Sequence, residues 1–105
     1  MKKWLAMLAA MLACLPVGFA SSRSQREHGA RVFAESGCMH CHTIRNAGGH
    51  KGPDLSGVGR RLKVEQMKYQ ILNGSKLMPP FAEDLQGADL EDVLFYLRSC
   101  RDKRK

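Results

Sequence analysis

Residues 38 to 42 read Cys38-Met39-His40-Cys41-His42, and this run restricts the chain more than any other stretch of it. Two thiols three positions apart can reach the vinyl groups on neighbouring rings of one porphyrin and form a thioether with each. The imidazole that follows, His42, is then held under the iron as an axial ligand. A chain bearing such a run has to fold around the group it carries. Three other readings of the same residues compete. A thioredoxin-like redox pair needs a βαβ setting, and no strand-like alternation surrounds the run. A zinc site needs four ligands, which His50 with either His40 or His42 could supply beside Cys38 and Cys41. A disulfide between the two cysteines suits an oxidising compartment, but it is tight at that spacing and leaves His42 without a role. Covalent attachment of one haem c, with its iron, accounts for all three side chains.

The compartment agrees with that chemistry. Met1-Lys2-Lys3 gives a positive start, Trp4 to Leu15 is almost unbroken apolar sequence, and the run closes on Pro16-Val17-Gly18-Phe19-Ala20. This pattern predicts a secretory signal peptide over residues 1–20, cleaved after Ala20, and export to the periplasm. An uncleaved anchor is the alternative, although the apolar run spans seventeen residues and is interrupted by Pro16 and Gly18. A lipoprotein site at Cys14 is a weaker match, because Leu15-Pro16-Val17 carries the apolar stretch onward. The remaining residues, 21–105, form one small domain with 15 Lys and Arg against 10 Asp and Glu. The excess gathers at Arg98, Arg101, Lys103, Arg104 and Lys105. A solvated terminus explains that cluster most simply, and steering onto an acidic partner or an anionic membrane is the functional alternative. Nucleic-acid binding is not expected, since the only basic and aromatic interleaving is short.

An 85-residue domain sits near the size at which a core alone gives a thin margin, so a bound group would also serve as a staple. With no internal repeat and no period-2 pattern, the class is all-α. Helices are expected over 24–35, 64–73 and 89–99. The first stops at Ser36-Gly37. The second carries Val64, Met67, Ile71 and Leu72 at helical spacing and stops at Gly74. The third buries Leu90, Val93, Leu94 and Leu97, with Asp89, Glu91 and Asp92 near its positive end. The Gly-rich stretch from His42 to Gly59 is expected to be irregular, and two prolines after Met78 forbid helix and favour a stiff extended path.

Taken together, these segments resemble the class I cytochrome c family over nearly the whole of residues 21–105. Gly29-x-x-x-Phe33 followed by Cys38-x-x-Cys41-His42 is similar to the family's N-terminal helix and attachment site. Gly52-Pro53-Asp54-Leu55-x-Gly57-Val58-Gly59-Arg60 resembles the segment on the histidine side of the haem. There the resemblance gives the Pro53 carbonyl a hydrogen bond from the ligand imidazole, and Arg60 a haem propionate. Leu77-Met78-Pro79-Pro80-Phe81 resembles the segment that delivers the second axial ligand, a methionine thioether. Asp92 to Leu97 resembles the C-terminal helix whose aromatic crosses the first helix at Gly29, where the absent Cβ permits close approach. Met67 is expected in the core and Met39 to point away from the iron, which leaves Met78, thirty-six residues after His42, as the ligand.

The resemblance implies the cytochrome c fold, three main helices and irregular loops around one haem, and a protein that transfers electrons and is not an enzyme. Two filled axial positions would leave no place for substrate. An apolar wrap from Leu55, Leu77, Phe81 and Leu94 would favour the ferrous state. Other readings are a haem subunit of a larger dehydrogenase, sulfur-oxidising or respiratory complex, and a peroxidase-like or gas-binding protein should Met78 be labile. Partners are expected to be redox proteins or a membrane-bound oxidase or dehydrogenase. Residues 21–105 contain no tryptophan, which many relatives use to reach a propionate, and Tyr69 is a candidate substitute. His28, His40 and His50 have no assigned role. Cys100 is unpaired and reads as a buried small hydrophobe in a monomer, with dimerisation through it as the alternative.

Overall fold

The computed structural model describes residues 21–103; the expected signal peptide and its cleavage point lie outside them. Helix α1 (Ser22–Glu35) begins two residues before the expected start because Ser21 caps it, its Oγ accepting from the Ser24 N–H at 3.1 Å. Gly37, at φ 82, breaks the helix, and a 3-10 turn over Cys38–His40 follows. The His42 N–H bonds to the Cys38 carbonyl at 3.0 Å, so both thiols and the imidazole come off one tight turn.

The stretch expected to be irregular holds two short elements. Strands β1 (Thr43–Ile44) and β2 (Ala47–Gly48) pair antiparallel, Thr43 with Gly48 and Ile44 with Ala47. Their turn places Arg45 at φ 50 and Asn46 at φ 70, the left-handed conformations of a type I′ turn. Asn adopts this readily and Arg does not; contacts made elsewhere by Arg45 hold it there. Helix α2 (Val58–Arg61) is a single turn, formed because Val58 is buried and the Gly59 N–H bonds to the Cys100 carbonyl at 2.8 Å. Neither element has a local sequence signature.

Helix α3 (Val64–Asn73) has the expected bounds; the Gln66 side chain accepts from the Lys63 N–H at 2.8 Å and the Gly74 N–H bonds to Gln70. Helix α4 (Gly87–Ser99) starts two residues earlier than expected and buries Leu90, Val93, Leu94 and Leu97. The core centres where α4 crosses α1. A Cβ on Gly29 would overlap the Asp92 carbonyl oxygen and come within 2.7 Å of the Tyr96 Cβ, so the helices meet backbone to backbone. Phe33 and Tyr96 pack edge to face beside the crossing, ring centroids 5.8 Å apart. His28 spans the same crossing, with Nδ1 2.7 Å from Asp92 and Nε2 3.4 Å from Asp89. Three main helices with irregular connections thus form the all-α architecture. Among the described residues no helix is long and apolar enough to cross a membrane.

Candidate functional site

The loops and the inner faces of α3 and α4 enclose one large apolar cleft of about 880 Å3, into which Cys38, Cys41, His42, Pro53 and Met78 all reach. Sites for small molecules and cofactors span roughly 300–1,000 Å3, so the cleft has the capacity for a macrocycle. Both cysteines are half-buried free thiols. Burial pushes the Cys38 thiol above its ordinary value, and the neighbouring Cys41 adds to that.

His42 Nδ1 lies 2.8 Å from the Pro53 carbonyl oxygen. A carbonyl only accepts, so Nδ1 carries the proton and donates, leaving the Nε2 lone pair for a metal. Gly52 allows the loop to lie on the ring: a Cβ there would stand 2.6 Å from Cε1 and 2.8 Å from Nδ1. The Gly52 N–H bonds to Cys41 at 2.6 Å and the Leu55 N–H to Thr43 at 2.8 Å, so the loop is stitched to the attachment segment. Asp54 completes it by accepting from the Ser56 N–H (2.8 Å) and hydroxyl (2.6 Å). These bonds hold its carboxyl below the ordinary carboxylate range.

Met78 is half-buried in a loop folded back over the end of α3. The Ser75 N–H bonds to the Met78 carbonyl at 2.8 Å, and the Phe81 N–H returns to Ile71 at 2.9 Å. Gly74, at φ 67, lies so close to Met78, Pro79 and Pro80 that any side chain would collide with the loop. The Gln70 amide Nε2 donates to Met78 Sδ at 3.6 Å. Sequence reasoning missed Gln70. Its signal was a polar residue on the apolar stripe of Met67 and Ile71, since all three line the cleft.

The other residues singled out from the sequence lie as follows. Arg60 is exposed and is not among the residues lining the cleft; Arg61 is, with its guanidinium on the Asp54 carbonyl at 2.8 Å. The reason is helical register. Val58, Arg61 and Leu62 are one turn apart and share the inner face, while position 60 turns to solvent. Leu94 packs in the core, and Leu97 takes its expected place on the cleft wall. Tyr69 is 70% exposed and reaches no part of the cleft. His50 contacts Thr43 at 3.4 Å, and among the described residues no group of His, Cys, Asp or Glu could hold a metal ion as a zinc set would. Cys100 is buried, its Sγ donating to the Tyr96 carbonyl at 3.4 Å.

Comparisons with known proteins agree with this fold. A family model described as cytochrome c oxidase, cbb3-type, subunit III matches residues 24–97. Cytochrome c6 of Bumilleriopsis filiformis is 34% identical, covering 70% of this chain and 88% of that protein. Cytochrome c6 of Pyropia yezoensis is 28% identical over 98% of both. Among solved structures, the c-type cytochrome SorU from Sinorhizobium meliloti aligns with a TM-score of 0.63 at 26% identity, covering 75% of this chain and 93% of that one.

Proposed function

The chain belongs to the class I c-type cytochromes, the family that the cbb3-type subunit III model represents, and carries covalent haem c for electron transfer; on that premise we propose that it is an exported carrier ligated by His42 and Met78. The haem supplies the redox couple, its iron taking up and releasing one electron. The residues around the cleft do the rest. Cys38 and Cys41 anchor the macrocycle. His42, with its proton committed to Pro53, offers Nε2 in a fixed orientation, and this hydrogen bond is the observation that carries the reading. Met78 offers a soft, weakly donating sulfur. Leu55 and Phe81 exclude water and disfavour the extra positive charge of the ferric state, whereas Leu77, expected in the same wrap, borders the cleft but is 87% exposed because it sits at the rim of the loop. Both effects favour a positive midpoint potential. Arg61, on the cleft wall, is the residue suited to pair with a propionate. With haem bound, His42 and Met78 would both be committed to the iron and would leave no position for substrate, which supports the reading as a carrier.

The ferric protein tests the ligand set. Sulfur ligation gives a weak far-red absorption band, and Met78→Ala should abolish it while leaving both thioethers intact by mass. A wild-type protein lacking the band, or a markedly negative potential, overturns the assignment. The mass of the secreted product tests cleavage after Ala20. A second reading, a haem subunit of a larger oxidase or dehydrogenase, is favoured by the description of the matching family model. Co-purification from native membranes under mild detergent separates it from a free carrier.

A further inference from the structure

Two segments run side by side at His42, residues 41–45 and 52–56, and the bonds between them form a ladder. Three rungs join the Gly52 N–H to the Cys41 carbonyl at 2.6 Å, His42 Nδ1 to the Pro53 carbonyl at 2.8 Å and the Leu55 N–H to the Thr43 carbonyl at 2.8 Å. The fourth is different. There the Arg45 N–H bonds to Ser56 Oγ at 2.7 Å, so the rung exists only because residue 56 carries a hydroxyl. That hydroxyl donates its own proton to Asp54 at 2.6 Å, which leaves its lone pairs for Arg45. The Ser56 N–H also goes to Asp54, at 2.8 Å, and the Ser56 carbonyl accepts from the Asp102 N–H at 3.0 Å. Every polar atom of Ser56 is engaged.

Asp102 closes the figure. Its carboxylate takes two Arg45 nitrogens, at 3.1 and 3.2 Å, so Arg45, Ser56 and Asp102 bond to one another in a ring. The ring holds Arg45 at φ 50, where a side chain of that kind rarely sits. Spacing connects it to the site: Arg45 follows His42 by three residues, and Ser56 follows Pro53 by three. Donor and acceptor of the histidine's hydrogen bond therefore each lead into one corner of the ring.

We propose that Ser56 is a positioning residue for His42, its hydroxyl closing the ladder that keeps the Pro53 carbonyl in line with Nδ1. The inference deepens the reading of His42 as an iron ligand and rests on it. Donation from Nδ1 to the carbonyl moves electron density toward Nε2 and makes it the stronger donor, which favours ferric iron. Without the hydroxyl the Arg45 N–H loses its partner, the two segments part at that end, and the rungs above them loosen. His42 then donates less, and the balance moves toward the ferrous state. The Arg45–Asp102 pair adds little by itself, because its side chains are 67% and 42% exposed.

The test uses the full haem-loaded chain in the ferric state. Ser56→Ala should speed exchange of the His42 Nδ1 proton with D2O about tenfold, read by NMR, as expected for one lost hydrogen bond. Its midpoint potential should rise. Ser56→Thr keeps the hydroxyl and should restore wild-type behaviour in both measurements, and Asp102→Asn should change the exchange less than about twofold. Gly29→Ala, which loosens the distant helix crossing, should leave the midpoint where it is, so a general loss of stability is told apart from positioning. An unchanged or lowered midpoint in Ser56→Ala, or equal shifts in Ser56→Ala and Ser56→Thr, overturns the proposal. Should Ser56→Ala fail to fold, the wild type decides: the Arg45 amide and the His42 Nδ1 proton should share one protection factor within about threefold, since one opening exposes both. An unprotected Arg45 amide beside a protected Nδ1 proton overturns the proposal too. A wild type whose Nδ1 proton resonance is not displaced by ferric iron lacks the His42 ligand, and the ligand reading fails. A displaced resonance that ignores every change at residue 56 removes only the role of Ser56.

Discussion

A neutral imidazole offers a lone pair at one nitrogen only, and in His42 the Pro53 carbonyl decides which one. The carbonyl can do this because residue 52 is glycine and lets the loop lie flat on the ring. Gln70 acts on the other proposed ligand. Its N–H draws on a sulfur lone pair, which makes Met78 a poorer donor and so favours the reduced iron. Gln70→Leu should therefore lower the midpoint potential while keeping the far-red band, and Gln70→Asn, with a shorter reach, should fall between the two; a redox titration of the three proteins reads this out. The residues reaching the cleft were legible to different degrees. Cys38, Cys41 and His42 announce themselves by spacing and Met78 by its prolines, but that Arg61 rather than Arg60 lines the cleft is not legible, because a motif fixes a position without fixing which way a one-turn helix faces.

At the scale of elements, the α1–α4 crossing carries the architecture, and Gly29 permits it. A methyl group there meets the Asp92 backbone, which has no rotamer with which to yield, so the helices must separate. Gly29→Ala should cost about 1–3 kcal/mol, the usual range for overpacking, read from the denaturant midpoint. The loop under His42 answers to pH. Asp54 is held below its ordinary value by the Ser56 N–H and hydroxyl, so its ionised form favours the folded loop. That contribution is complete above the unfolded carboxylate value of about 4 and is lost as pH falls through the lower folded value. Denaturant stability should decline below pH 4, and Asp54→Asn should make this acid limb shallower without altering the plateau's slope. The long helices were readable because their apolar stripes are local in sequence. The hairpin and α2 were not, because Ser56, Cys100 and Asp102, which hold them, are distant along the chain.

The core that centres on the α1–α4 crossing extends to one wall of the cleft. Val58, Met67, Ile71 and Leu97 are each buried on one side by protein and turn another side toward the cleft. The haem therefore completes the apolar interior, and tethering it makes that completion permanent. Cys38→Ser with Cys41→Ser should lose the cooperative thermal transition seen in the wild type, measured by far-ultraviolet circular dichroism; an unchanged midpoint would show that the protein core suffices alone. The need for a staple was visible in the size of the chain, but the dimensions of the cleft were not, because they emerge only when three helices and two loops close on one another.

The tie between the Asp102 N–H and the Ser56 carbonyl, at 3.0 Å, joins the C-terminal segment to the support beneath His42. Under the proposed export, a chain threaded outward from its N-terminus presents Cys38, Cys41 and His42 well before the residues that lock their floor have emerged. The lock is the last part of the domain that the chain can complete, so the attachment segment precedes its own floor.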